Sequence, residues 1–263
     1  MKKRILLALS LAAAASLAQA QAPEWKKLRI GVEGAYPPFS EIGPDGKLKG
    51  FEIELVQAYC AEMKAQCTLV QQDFDGMIPA LQARKFDAIV ASMSITPERK
   101  KQVAFTDKYY NTPARFVVRS DSKLQISPEG LKGRKIGVQR STIHDRYVTD
   151  TFKGAQVVRY TKQDEVFLDL AAGRIDATLQ DSVAADVGFL KTPQGKGFGF
   201  TGPFYDDPKV FGEGAGIALR KADTALQVKL NAAIKAIRAD GSYKKLQDKY
   251  VDFDVYGKDT AAK

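Results

Sequence analysis

One arginine, a scatter of acids and hydroxyls, and two aromatic side chains are the residues of this chain that could grip a small polar molecule. Ser94-Ile-Thr-Pro-Glu-Arg99 combines a guanidinium with the signature of a helix start. Thr96 suits the N-cap and Pro97 the first helical position, with Arg99 in the first turn. A guanidinium fork beside free N–H groups is what a carboxylate requires. Ser141-Thr142-Ile143 opens a second expected helix and offers N–H groups from elsewhere in the chain. Asp181, Ser92 and Ser94 are a carboxylate and two hydroxyls that could hold an ammonium. Tyr36 and Phe74 could stack on an aliphatic stem, and Glu33 could meet a distal cation, with Gln139 at the position matching it in a second half. Together these groups fit an α-amino acid. Each also has a plainer reading. Arg99 could be a surface helix arginine, Asp181 a helix cap, and Phe74 a core side chain, although Asp73 and Asp75 beside it favour a loop.

No nucleophile–base pair accompanies them. His144, the only histidine, stands alone at a helix start and reads as ligand-proximal or surface-lying rather than catalytic. Neither a metal nor any other cofactor is expected. Cys60 and Cys67 are two thiols that in an oxidising compartment read as one local disulfide. Two thiolates are too few for a metal site, with His144 distant in sequence.

Positioning these groups requires elements, and the chain alternates them. Short β-rich runs at 27–32, 68–71, 88–91, 135–138, 156–159 and 175–179 are separated by helical patterns. Helices are expected around Ile53–Met63, Gly76–Arg84, Thr142–Phe152, Gln163–Ala172 and Ser182–Leu190. The stretch Asp223–Tyr250 is expected to be helical and broken at Gly241. Such βα alternation implies mostly parallel sheets flanked by helices, an α/β fold. An internal repeat divides it in two. Leu28-Arg-Ile-Gly-Val-Glu33 matches Arg134-Lys-Ile-Gly-Val-Gln139, and Leu81-Gln-Ala-Arg-Lys-Phe-Asp-Ala88 matches Leu170-Ala-Ala-Gly-Arg-Ile-Asp-Ala177. Two lobes of the same topology follow. In open α/β sheets ligands bind beyond the carboxyl ends of the strands. Those ends carry Glu33 and Tyr36 in one copy, Gln139 and Thr142 in the other, and Ser92 and Asp181 five residues after Asp87 and Asp176. The two repeated aspartates themselves are expected to be structural.

The N-terminus sets the compartment. Met1-Lys-Lys-Arg4, an apolar run from Ile5 to Leu17 and Ala18-Gln-Ala20 read as a secretory signal peptide cleaved after Ala20. The run is shorter than the roughly 20 residues of a spanning helix. Cleavage leaves 243 residues at a formal +6, since Lys2, Lys3 and Arg4 are lost from a total of +9. The remaining basic residues are interspersed with acids, as in Lys244-Lys-Leu-Gln-Asp-Lys249, and a nucleic-acid partner is excluded on that ground. A soluble monomer that does not span the membrane is expected.

With these residues in place the chain resembles the periplasmic polar-amino-acid-binding proteins of ABC importers, the lysine/arginine/ornithine and histidine type. The resemblance covers residues 27–256. Its main carriers are Ile30-Gly-Val-Glu-Gly-Ala-Tyr-Pro-Pro-Phe39, Gly50-Phe-Glu-Ile-Glu54, Phe74-Asp-Gly-Met-Ile-Pro79 and Asp87-Ala-Ile-Val-Ala-Ser-Met-Ser-Ile-Thr96, followed by Leu179-Gln-Asp181 and Phe211-Gly-Glu-Gly214. The resemblance implies a two-lobed periplasmic-binding-protein fold with two hinge strands. Lobe 1 would comprise residues 21–110 and 215–257, lobe 2 residues 115–205, the hinges 111–114 and 206–214, and a tail 258–263. It also implies a cationic L-amino acid as ligand and a membrane permease as partner. Arg99 would take the carboxylate with N–H groups at Ser94 and Ile143, and Asp181 with Ser92 or Ser94 the ammonium. Tyr36 and Phe74 would sandwich the stem, Glu33 would receive the distal cation, and the Cys60–Cys67 pair matches the family's disulfide. The chain departs from the family at Glu33, where Asp is usual, at Ala91, where Ser is common, and at Gln139-Arg-Ser141. It is most similar to the arginine/ornithine branch. An enzyme on the same scaffold, such as a prephenate-type dehydratase, and a ligand-sensing partner of a receptor are the alternatives.

Overall fold

The structure is a computed structural model that describes residues 25–257. The expected signal peptide and the tail 258–263 lie outside the described residues. Two five-stranded sheets organise the chain. The first runs in the order Gln66–Gln71, Lys27–Val32, Ala88–Ile89, Ala215–Leu219, Ala104–Tyr110. The second runs Gln156–Tyr160, Lys135–Gln139, Ala177–Asp181, Ala114–Arg119, Phe198–Tyr205. In each the first three strands are parallel, and the fourth is antiparallel to both its neighbours. Helices cover both faces, so the inner strands Ala215–Leu219 and Ala177–Asp181 are buried along their whole length. Apolar clusters on the two faces of each sheet form the cores.

The internal repeat has a physical cause. Gly31 and Gly137 lie at matching positions of the repeated strands. A Cβ on Gly31 would come within 2.8 Å of the Phe86 ring, and one on Gly137 within 2.3 Å of Ile175 Cδ1. Phe86 and Ile175 are themselves matching residues, so in each lobe a large side chain fills the space the glycine leaves. Asp87 and Asp176 follow them. The Asp87 carboxylate accepts the Arg29 N–H at 3.0 Å, and Asp176 accepts that of Lys135 at 2.7 Å. Both repeated aspartates therefore lock the entrance of the neighbouring strand, the structural role expected of them.

Cys60 and Cys67 are joined, tying the end of helix Phe51–Glu62 to the strand Gln66–Gln71. Gly241 breaks the C-terminal helical stretch in the left-handed conformation, between helices Thr224–Ala239 and Ser242–Gln247. The former covers the edge of the first sheet: Gln227 Nε2 donates to the Phe105 carbonyl at 2.6 Å, and Asn231 Oδ1 accepts the Asp107 N–H at 2.9 Å. Amides four residues apart on one helix face thus satisfy an otherwise open strand edge. The helix expected over Ser182–Leu190 is regular only to Ala185, and Asp186–Leu190 is wound more widely. The strand expected at 175–179 runs instead from Ala177 to Asp181, which puts Asp181 on its last position. A small sheet of Ala35–Tyr36, Ser40–Ile42 and Leu48–Lys49, absent from the sequence reading, fixes Tyr36.

Candidate functional site

The carboxyl ends of the parallel strands of both sheets face one another, and two adjoining cavities lie between them. One is lined by Glu33, Tyr36, Phe74, Ser92, Ser94, Arg99, Gln139, Thr142 and Ile143, together with Ala91 and His144. The other shares Tyr36, Ser92, Ser94, Ile143 and His144 and adds Asp181 with Asn111 and Thr112. All ten candidate residues are therefore brought to one cleft. The cavities measure only about 30 and 40 Å³, far below the roughly 300 Å³ at which ligand pockets begin. Entry of an amino acid requires the lobes to part. A larger open groove of 720 Å³ lies outside the first lobe, between Ala104–Tyr110 and Thr224–Ala239, and holds none of the candidates.

Arg99 is half-buried. Its Nη1 donates to the Ser94 carbonyl at 3.0 Å, its Nη2 to the Ser141 carbonyl at 3.1 Å, and its guanidinium carbon lies 5.3 Å from the centre of the Phe74 ring. Among the described residues it makes no ion pair. Burial lowers its pKa to about 10, which leaves it charged at neutral pH. Thr96 caps the turn as expected, accepting the Arg99 N–H at 3.2 Å, with Pro97 next. That helix is only four residues long and its Arg99 N–H is already used. The guanidinium, rather than the helix start, is what this turn offers an anion. Across the cleft Thr142 caps the longer helix Ile143–Thr151 by accepting the Asp145 N–H at 3.1 Å.

Asp181 satisfies both of its readings. Its Oδ1 accepts the N–H groups of Val183 and Ala184, each at 2.9 Å, and its Oδ2 accepts the Thr112 hydroxyl. It caps a helix and borders a cavity at once, and burial raises its pKa to about 6. Phe74 likewise joins the core cluster of Met77, Leu81 and Phe86 while bordering the other cavity. Glu33 is buried and accepts a hydrogen bond from Gln139 Nε2, a contact between lobes. Burial lifts its pKa to about 8, with repulsion from Glu52, Asp73 and Asp164 adding to the effect.

Two residues were not assigned from the sequence, Glu52, which supports the site from behind Ser92, and His144, which borders it. Glu52 is fully buried; its Oε1 accepts the Ser92 N–H at 2.6 Å, the Ser92 hydroxyl at 3.1 Å and the Tyr109 hydroxyl. Its Oε2 is buried without a partner, and burial lifts its pKa to about 7. Ser92 is held at φ 53, in the left-handed region that costs a non-glycine residue about 1 kcal/mol or more. An acid in the first turn of a helix reads as a complement to the helix dipole, which hid Glu52. His144 borders both cavities, settling its position as cleft-facing. Burial and the nearby Arg99 charge lower its pKa to about 3, so it is neutral. The cleft cavities thus set Glu33 and Asp181 against the Arg99 guanidinium, with Glu52 buried behind Ser92. Among the described residues no group of His, Cys, Asp or Glu could hold a metal ion.

Two α/β lobes meeting at their strand ends around a polar cleft define a bilobal solute-binding protein. The chain belongs to the bacterial extracellular solute-binding proteins, family 3, whose profile matches residues 28–253. It is 56% identical over 234 residues to an L-arginine-binding protein of Pseudomonas aeruginosa, covering 88% of this chain and 90% of that one. It is 45% identical over 258 residues to the histidine-binding periplasmic protein of Escherichia coli, covering 97% and 99%. A solved ancestral arginine-binding protein bound to arginine superimposes with a TM-score of 0.80 at 36% identity, covering 86% of this chain and 98% of the other. These named relatives are binding proteins, and the chain is one of them rather than an enzyme. No helix among the described residues is long and apolar enough to cross a membrane.

Proposed function

We propose that this chain is the extracytoplasmic receptor of an ABC importer and takes a cationic L-amino acid, arginine or ornithine ahead of lysine and histidine. The observation that carries this reading is the set of ionisable groups that the cleft buries. Glu33 and Asp181 line it as buried acids whose pKa values burial raises, a cost that a cationic ligand would offset, and Arg99 is the cation set against them. A ligand with one carboxylate and two cationic groups complements that set. Its carboxylate takes the Arg99 guanidinium from the carbonyls of Ser94 and Ser141. Its ammonium meets Asp181 with Ser92 and Ser94, its stem lies between Tyr36 and Phe74, and its distal cation reaches Glu33. Thr142, Ile143 and Gln139 close on it from the second lobe.

Binding needs no covalent step. The ligand settles on one lobe, the lobes hinge shut through the crossings at 111–114 and 206–214, and the closed form is favoured because both lobes then contact the ligand. Lobe 1 would comprise 21–110 and 215–257, and lobe 2 residues 115–205. The protein would act as a periplasmic monomer, released by cleavage after Ala20, that docks closed on a membrane permease. A thermal-shift panel of the common amino acids tests the ligand class, since a ligand at 100 times its Kd adds about 2.7 kcal/mol of stability. Arginine and ornithine should shift the midpoint most. A panel in which only neutral or acidic amino acids do so refutes the reading.

A further inference from the structure

Two ion pairs cross the mouth of the cleft without using any group assigned to the ligand. Arg140 Nε lies 2.7 Å from Asp75 Oδ2, and Arg146 pairs with Glu98. All four residues neighbour side chains that border the cavities. Asp75 follows Phe74, Glu98 precedes Arg99, Arg140 follows Gln139, and Arg146 stands two beyond His144. In both pairs the arginine comes from the second lobe and the acid from the first.

The segment 139–141 shows how these contacts divide. Gln139 reaches Glu33, Arg140 reaches Asp75, and the Ser141 carbonyl reaches Arg99. Ligand entry redirects the first and third, because Glu33 and Arg99 then face the ligand. The Arg140 contact is untouched. Arg140 is also braced on its own lobe, its Nη2 donating to the Thr161 hydroxyl at 2.7 Å beside the 3.1 Å bond from Gln139 Nε2 to the Thr161 carbonyl. Arg146 has a looser tether, Asp150 at 3.6 Å on its own helix. The Arg140–Asp75 side chains are 44% and 29% exposed, whereas both side chains of the other pair are 57% exposed. The first pair is therefore the less screened by water and salt.

We infer that Arg140–Asp75, assisted by Arg146–Glu98, is a charged clasp that favours closure whichever amino acid lies inside. It lengthens the time a ligand is held without ranking one ligand over another. This rests on the cleft being a binding site that opens and shuts. Glu33 and Arg99 decide what fits, and the clasp decides how long the lobes stay together.

The test places a fluorophore on each lobe of the mature protein, on added surface cysteines, and follows interlobe distance without ligand and the release rate of L-arginine, L-ornithine and L-lysine. At low salt, Arg140→Gln or Asp75→Asn should speed release of all three by about the same factor, up to roughly fivefold, and open the ligand-free protein. Arg146→Gln should do so by less than Arg140→Gln. High salt should reproduce the effect in the wild type and add little to the Arg140→Gln/Arg146→Gln variant. Exchanging the charges, Asp75→Arg with Arg140→Asp, should restore slow release. Unchanged release and unchanged ligand-free distance in Asp75→Asn, or a change in ligand order, overturns the clasp. The ligand-free distance needs no amino acid. Opening by Arg140→Gln in a protein that binds none of the three would keep the clasp and remove the ligand assignment.

Discussion

At the entrance of its parallel strands each lobe carries the same aspartate in the same hydrogen bond, Asp87 to the Arg29 N–H and Asp176 to the Lys135 N–H. At the exits of those strands the lobes part company. Glu33 in one stands where Gln139 is in the other, and Ser92 stands opposite Asp181. A position repeated in both lobes answers a need that both share, which is folding. A position that differs answers a need that only the pair has, a cleft with unlike walls. The matched Gly31/Phe86 and Gly137/Ile175 contacts belong to the first kind.

The contrast can be broken by substitution at either end. Arg99→Ala at the exit end should raise the Kd for every amino acid more than 100-fold, about 3 kcal/mol or more, because a buried carboxylate loses its only guanidinium. Titration calorimetry reads this directly, with the thermal midpoint of the ligand-free protein nearly unchanged. At the entrance end the pattern should reverse. Asp87→Ala and Asp176→Ala should cost about 1–3 kcal/mol of stability, visible as a lower unfolding midpoint, and leave the Kd alone. Asp87 should cost more, since Arg220 also pairs with it at 3.4 Å and its side chain is only 14% exposed against 37% for Asp176. A changed ligand order in Asp176→Ala would erase the distinction between the two ends.

The smallest expected effect concerns pH. Burial in the closed cleft raises the Glu33 pKa to about 8, whereas solvent in the opened cleft returns it toward its ordinary value near 4.3. The closed ligand-free form therefore binds more protons between those values. Lowering pH from 8 to about 6.5, above the range in which an opened cleft lets His144 take up a proton, should favour closure, and raising it should favour opening. Interlobe distance measured against pH should show this drift in the wild type and lose most of it in Glu33→Gln. A drift of the opposite sign would contradict the burial of Glu33.

Much of this was legible in the sequence because it rests on local patterns. The repeated Ile-Gly-Val and Asp-Ala stretches report contacts between adjacent strands, and they located the strand exits and Ser92, Gln139 and Asp181 with them. The antiparallel fourth strands, Ala215–Leu219 and Ala114–Arg119, were not legible. They pair with partners far away in sequence, and no short motif announces them. Glu52 escaped for the same reason: its partners Ser92 and Tyr109 lie 40 and 57 residues on. Phe74 and Asp181 each looked like a choice between core or cap and cleft, and each does both.

The central claim is that the cleft's acids select a cation, and calorimetric titration of the mature protein with L-arginine and L-glutamine, in the wild type and in Glu33→Gln, tests it most directly. The account expects one-to-one binding of arginine at micromolar Kd or tighter and much weaker binding of glutamine. Glu33→Gln should weaken arginine by roughly 10-fold to 100-fold, the loss of a charge-assisted hydrogen bond, and leave glutamine unchanged or improved. Binding of glutamine with no heat from any cationic amino acid, or equal losses for both ligands in Glu33→Gln, would contradict it.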